Sequence, residues 1–118
     1  MAVSERSFSD SVYRTGQKVT CSIKVTPPSG TLAYALEEKY PTGWTASNPS
    51  HGGNITGGLV KIGVFHDSME RTFTYDLMPS SATTNRTFSG TLSIDGASQE
   101  IGGKTILKFD RVAPGPVV

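Results

Sequence analysis

A chain of 118 residues fits one domain of ordinary size, long enough to bury a single hydrophobic core. Hydrophobic residues make up 36% and charged residues 18%, which excludes charge-driven disorder, and no stretch reaches the roughly 20 apolar residues of a membrane span. The formal net charge of +1, carried by singly scattered Lys and Arg, argues against a nucleic-acid surface, which needs clustered cations.

The opening MAVSERSFSD has no charged region followed by an apolar run, so it does not read as a signal peptide, and the chain reads as a piece of a longer protein. RSFSDSVYR is a weak strand around Phe8, Val12 and Tyr13. KVTCSIKV is a clear one: Val19, Cys21, Ile23 and Val25 alternate with Lys18, Thr20, Ser22 and Lys24. TPPSG then forces a turn, because Pro fixes φ and removes a donor while Gly allows positive φ.

In TLAYALEEK, Leu32, Tyr34 and Leu36 share one face and Ala33 and Ala35 the other. Helix competes here, since Leu, Ala, Glu and Lys are helix formers; strand is expected because the segment is short and Pro41 stops it. GWTAS is a short strand and SNPSHGGNITGG a loop by composition. LVKIGVF places Val60, Ile62 and Val64 on one face, RTFTYDLM places Phe73, Tyr75 and Leu77, and HDSME between them has the length of a hairpin loop. After the polar run PSSATTN, RTFSGTLSI groups Phe88, Leu92 and Ile94 with Gly90. Asp95-Gly96 signals a two-residue turn, with SQEI or KTILKF as the returning strand. VAPGPVV has the composition of a linker.

Seven to nine short strands separated by turns predict an all-β fold without substantial helix: an antiparallel immunoglobulin-like β-sandwich, with a small barrel as the alternative. One domain is expected over residues 1–110, followed by a linker-like tail at 111–118.

Few residues suggest chemistry. Glu37 and Glu38 are neighbours on a strand, so they point to opposite faces and cannot flank one bond as a glycosidase pair must. Glu38, on the face of Leu32, Tyr34 and Leu36, is expected at the core rim, hydrogen-bonded to loop amides or to Arg or Lys. Trp44 and Tyr40 could form a platform for sugar stacking, with His51 on the adjacent loop, but one Trp past a strand end reads first as core filling. Ligand contact, if any, is assigned to Trp44, Tyr40 and His51.

His51, His66, Asp67 and Glu70 are the only metal-like set, and their spacing is that of a solvated loop rather than a ligand cage, so no metal is expected. Cys21 is expected to be buried and inert, and a lone Cys makes no intrachain disulfide. No nucleophile elbow, phosphate loop, dinucleotide fingerprint or CxxC occurs, so no catalytic residue and no cofactor is assigned. Asn54-Ile55-Thr56 and Asn85-Arg86-Thr87 match the glycosylation sequon, a frequent chance match in such loops. Lys18 and Lys24 face outward in this register, so no isopeptide crosslink is expected.

One resemblance covers most of the chain. Thr15-Gly16 before KVTCSIKVTP, then AYALEEKYPTGW, a Gly-rich loop, VKIGVF, RTFTYDL, and TFSGTLSIDG followed by IGG resemble an Ig-like module of secreted and cell-surface proteins of bacteria and archaea, over Gly16 to Phe109. Its most specific piece is the acidic pair leading to Pro, Gly and Trp; Thr15 stands where Pro, and Ile62 where an aromatic residue, would be expected. The resemblance implies an extracellular or cell-surface, non-catalytic accessory module. Its expected partners are neighbouring domains of the same polypeptide, in a monomer without membrane insertion. The alternative is a module that binds glycan or protein.

Overall fold

The computed structural model describes residues 3–80 and 85–109. This part of the chain forms twelve strand segments and no helix. They are β1 (Ser4–Phe8), β2 (Val12–Tyr13), β3 (Val19–Val25), β4 (Tyr34–Lys39), β5 (Thr45–Ser47), β6 (Asn54–Thr56), β7 (Leu59–Phe65), β8 (Arg71–Met78), β9 (Arg86–Thr87), β10 (Ser89–Ile94), β11 (Ala97–Glu100) and β12 (Ile106–Phe109).

One sheet has the order β1-β3-β8-β5 and the other β11-β10-β4-β7-β6, while β2-β12-β9 forms a short third ladder. Only Phe88 separates β9 from β10, so the third ladder prolongs the second sheet past a break. The strand pairs are antiparallel except β2 with β12, which runs parallel.

Period-two alternation builds the core. Val19, Cys21, Ile23 and Val25 of β3 point inward and lie opposite Leu77, Tyr75, Phe73 and Arg71 of β8. From the second sheet Tyr34, Leu36, Val60, Ile62 and Leu92 face them, all buried. Each such side chain contributes roughly 1.5–3 kcal/mol by leaving water, so this shared interior is the main reason the two sheets stay together. β4 is a strand and not a helix, because it finds hydrogen-bonding neighbours on both sides in β10 and β7. At Asp95-Gly96 both residues take positive φ, 49° and 84°, and close the β10–β11 hairpin as a type I′ turn.

Several expectations need correction. Leu32 is 77% exposed and outside β4, because the amides of Leu32 and Ala33 both donate to Asp95 Oδ1 at 2.9 Å and hold this segment as a loop. Val64 is exposed as well. Tyr34 pairs with Phe65 and Ala35 with Gly63, so Val64 is the extra residue of a bulge and Phe65 returns toward the core in its place. A Cβ at Gly63 would lie 2.6 Å from that of Ala35, which is why glycine stands at this crossing.

HDSME is not a hairpin loop, since β7 and β8 belong to different sheets and the segment crosses between them. Two-pronged bonding from Arg71 to Asp67 (2.8 and 2.9 Å) and the Tyr34 hydroxyl donating to the Met69 carbonyl (2.7 Å) hold it in place. SNPSHGGNITGG contains a strand, β6, which pairs with β7 through the Gly57-Gly58 turn. Both candidates for the returning strand are used, β11 beside β10 and β12 beside β9 and β2. The count of twelve segments exceeds the expected seven to nine because two- and three-residue pieces carry too little alternation to register as strands. The linker-like tail at 111–118 and residues 81–84 of the polar run lie outside the described residues.

Candidate functional site

The largest departure from a purely apolar interior is a polar cluster between the sheets. Alternation in β1 turns Ser4 and Arg6 inward, and alternation in β4 turns Glu38 inward while Glu37 faces solvent. Arg6 and Glu38 are both 0% exposed and form a two-pronged ion pair across the sandwich: Arg6 Nε donates to Glu38 Oε1 at 2.8 Å, and Nη2 donates to Oε2. Arg6 Nη1 donates to the Lys104 carbonyl at 2.9 Å. The Tyr75 hydroxyl donates to Glu38 Oε1 at 3.0 Å, and the Cys21 thiol reaches the same oxygen at 3.9 Å.

Burial pushes the Glu38 carboxyl above its ordinary range, with Arg6 pulling against that rise. All four side chains are essentially closed to solvent, so no substrate reaches them and the cluster cannot act as an acid–base site. Glu38 therefore lies deeper than the core rim, with Arg rather than loop amides as its main partner. Arg6 escaped the sequence reading, although two opposite charges in the inward phase of two strands are a readable signal.

Burial, and then the nearby Glu38, push the Cys21 thiol up to about 12. A thiol in that range is almost wholly protonated at neutral pH and unreactive. In the native protein at pH 8, Cys21 is expected to react with a disulfide reagent more than about a hundredfold more slowly than in the denatured chain; comparable rates in the two states would contradict its placement.

The residues assigned to ligand contact fall in different places. Trp44 is 4% exposed, its ring edge-on to Tyr13 at 4.7 Å and to Phe88 at 6.0 Å. The Pro41-Thr42-Gly43 turn, closed by the Trp44 amide donating to the Pro41 carbonyl at 3.2 Å, drops the indole inward. Its Nε1 has no hydrogen-bond partner among the described residues. Tyr40 packs against the core edge and lines a surface concavity with Lys39, Arg86 and Ser89. His51 is exposed, edge-on to Phe73 at 4.8 Å, in an aromatic group separate from that of Trp44. The fold brings no exposed platform together from Trp44 and His51.

In the 66–70 segment the acids turn to local cations. Arg71 holds the Asp67 carboxyl down to about 2, and Glu70 lies 3.6 Å from Lys24. Among the described residues no three His, Cys, Asp or Glu side chains converge as metal ligands.

Two further concavities lie on the surface of the described residues. The outer face of the five-stranded sheet holds a concavity of about 310 Å³ lined by small side chains, Ala35, Gly63, Thr91 and Ser93, with Glu37 and Lys61 paired at 4.0 Å. A larger one of about 780 Å³ lies between residues 7–12 and Lys104, Ile106 and Lys108, with Asp10 the carboxylate among its described lining residues.

No family profile and no curated protein matches the chain. Among solved structures, a non-cellulosomal cohesin from the hyperthermophilic archaeon Archaeoglobus fulgidus superposes with a TM-score of 0.59 at 12% identity, over 95% of this chain and 94% of the other. ChBD2 from Thermococcus kodakarensis KOD1 superposes with a TM-score of 0.54 at 17% identity, over 81% of this chain and 91% of that one. The fold is an immunoglobulin-like β-sandwich. A DUF4466 family protein from Parabacteroides merdae gives a TM-score of 0.51 at 14% identity, with 88% of this chain covering 44% of that chain. At these identities the likeness concerns the fold alone.

Proposed function

We propose that this chain is a non-catalytic, in-line module of an extracytoplasmic protein, a rigid spacer between neighbouring domains of the same polypeptide. The observation that carries the reading is the course of the first and last strands. Arg6 bridges Gly103 in parallel, and further on Val12 and Tyr13 pair with Lys108 and Phe109. The described chain therefore comes in beside Gly102 and leaves beside Tyr13, roughly 20 Å further along at about 3.3 Å per residue. Domains joined before and after it would sit at opposite ends of the sandwich. The closed ion cluster and the extracytoplasmic Ig-like resemblance support the same reading.

The outer face of the five-stranded sheet supports a second reading, attachment of a protein partner, since its small side chains and its concavity would admit another surface closely. The structural likeness to a cohesin and to ChBD2 is compatible with it. Glycan stacking gains nothing from this face, whose described lining residues include no aromatic ring.

Two copies joined through residues 111–118 test the spacer. Small-angle scattering should give a particle about twice as long as one copy, and soluble oligosaccharides should leave the melting temperature unchanged, because a ligand specific for the native state raises it. A compact tandem would count against the spacer, and an oligosaccharide that raised the melting temperature would move the assignment to binding.

A further inference from the structure

We propose that the module bears load: the contacts joining its first strands to its last form a shear clamp that resists force applied through the two ends of the domain. The proposal rests on the in-line reading and adds a mechanical function to it.

The first strands and residues 102–109 run side by side in the same direction. The Arg6 amide donates to the Gly102 carbonyl and the Lys104 amide to the Arg6 carbonyl, both at 2.8 Å. Beyond a gap, Val12 and Tyr13 pair with Lys108 and Phe109. Seven residues lead from Arg6 to Tyr13 but six from Gly103 to Phe109, and the slack falls where the 780 Å³ concavity opens. The clamp is therefore two short patches on one line.

Pulling the ends apart draws β1 and β2 one way and β12 the other along their common axis. The bonds between parallel strands then lie across the pull and carry it together, whereas an antiparallel pair pulled from one end parts bond by bond. Each side of the clamp is tied into the body. β1 is paired with β3 along its whole length, and β12 is held to β9, with Phe88 N–H donating to the Thr105 carbonyl at 2.7 Å and Leu107 fully buried.

The Arg6 side chain adds a lock. Its guanidinium joins β1 to Glu38 in the opposite sheet and to the carbonyl of Lys104, the residue that also bonds the Arg6 backbone. Sliding β1 past Gly102–Lys104 would pull a buried charge off its partner before solvent could replace it, and such a rupture is strongly unfavourable.

Single-copy force-clamp measurement along two axes decides the matter. One axis runs through the chain ends. The other runs between cysteine handles placed by Ser29→Cys and Ser68→Cys, exposed positions that flank the paired Val25 and Arg71 at one end of β3 and β8, so that force there unzips this pair. At equal force, the lifetime through the ends should be at least about tenfold longer than through the handles, a factor of ten being one decade of barrier crossing. Lys104→Pro, which removes the amide that donates to the Arg6 carbonyl, should shorten the end-to-end lifetime by a larger factor than the lifetime through the handles. Equal lifetimes along both axes, or a Lys104→Pro factor no larger end to end, would overturn the clamp. The ratio is a property of one copy, so it is decided separately from the tandem scattering that tests the spacer.

Discussion

Arg6→Ala is expected to destabilise the domain by about 3–5 kcal/mol, read as a fall in the denaturation midpoint at constant slope, because it leaves Glu38 charged, buried and unpaired. Glu38→Ala should cost a similar amount by stranding the guanidinium. The informative variant removes the whole network: Arg6→Met with Glu38→Leu, and Tyr75→Phe to delete the hydroxyl left without an acceptor. That triple variant should recover most of the loss, since a buried ion pair roughly balances its own desolvation. In the cycle, coupling between Arg6 and Glu38 should exceed about 2 kcal/mol. Simple additivity of the two single losses would mean that the pair is not closed as described.

Gly90→Ala should rank beside it, at about 3 kcal/mol or loss of folding, for a reason of space. Gly90 sits on β10 directly opposite Glu38 on β4. A Cβ built there would lie 2.0 Å from Glu38 Oε2 and 2.8 Å from both the Glu37 carbonyl and Ile101 Cδ1. A free carboxylate could swing aside, but this one is held by Arg6 and Tyr75. The penalty should therefore shrink when Glu38 is absent: Gly90→Ala introduced into Glu38→Ala should cost clearly less than in the wild type. An identical cost in the two backgrounds, by thermal or chemical melting, would show that backbone crowding and not the locked carboxylate makes glycine necessary.

These two effects also show what a linear reading can hold. Glu38 in the inward phase of its strand, Gly90 among core residues, and Cys21 between Val19 and Ile23 were all visible as positions, because inward and outward residues alternate along any strand whatever its neighbours. Their partners were not visible. Arg6 and Glu38 are 32 residues apart in sequence, and nothing local says that β1 and β4 face each other. Leu32 and Val64 failed for the same reason: each continued a correct alternation past the point where a distant contact, the Asp95 carboxylate or the bulge opposite Tyr34, ended it. HDSME had the length of a hairpin, yet loop length does not reveal whether the next strand joins the same sheet.

By itself, the amino-acid order determined that the domain is all-β, which residues of most strands turn inward, and that Glu37 and Glu38 could not work as a pair. These depend on the two-residue pleat and on turn chemistry, both of which act over a few neighbouring residues. Only the tertiary structure decided which strands pair, that Trp44 lies inside, that Arg6 meets Glu38, and that the first and last strands run parallel. Those outcomes follow from which surfaces bury one another, a choice made among the many sheet orders that the same alternation permits.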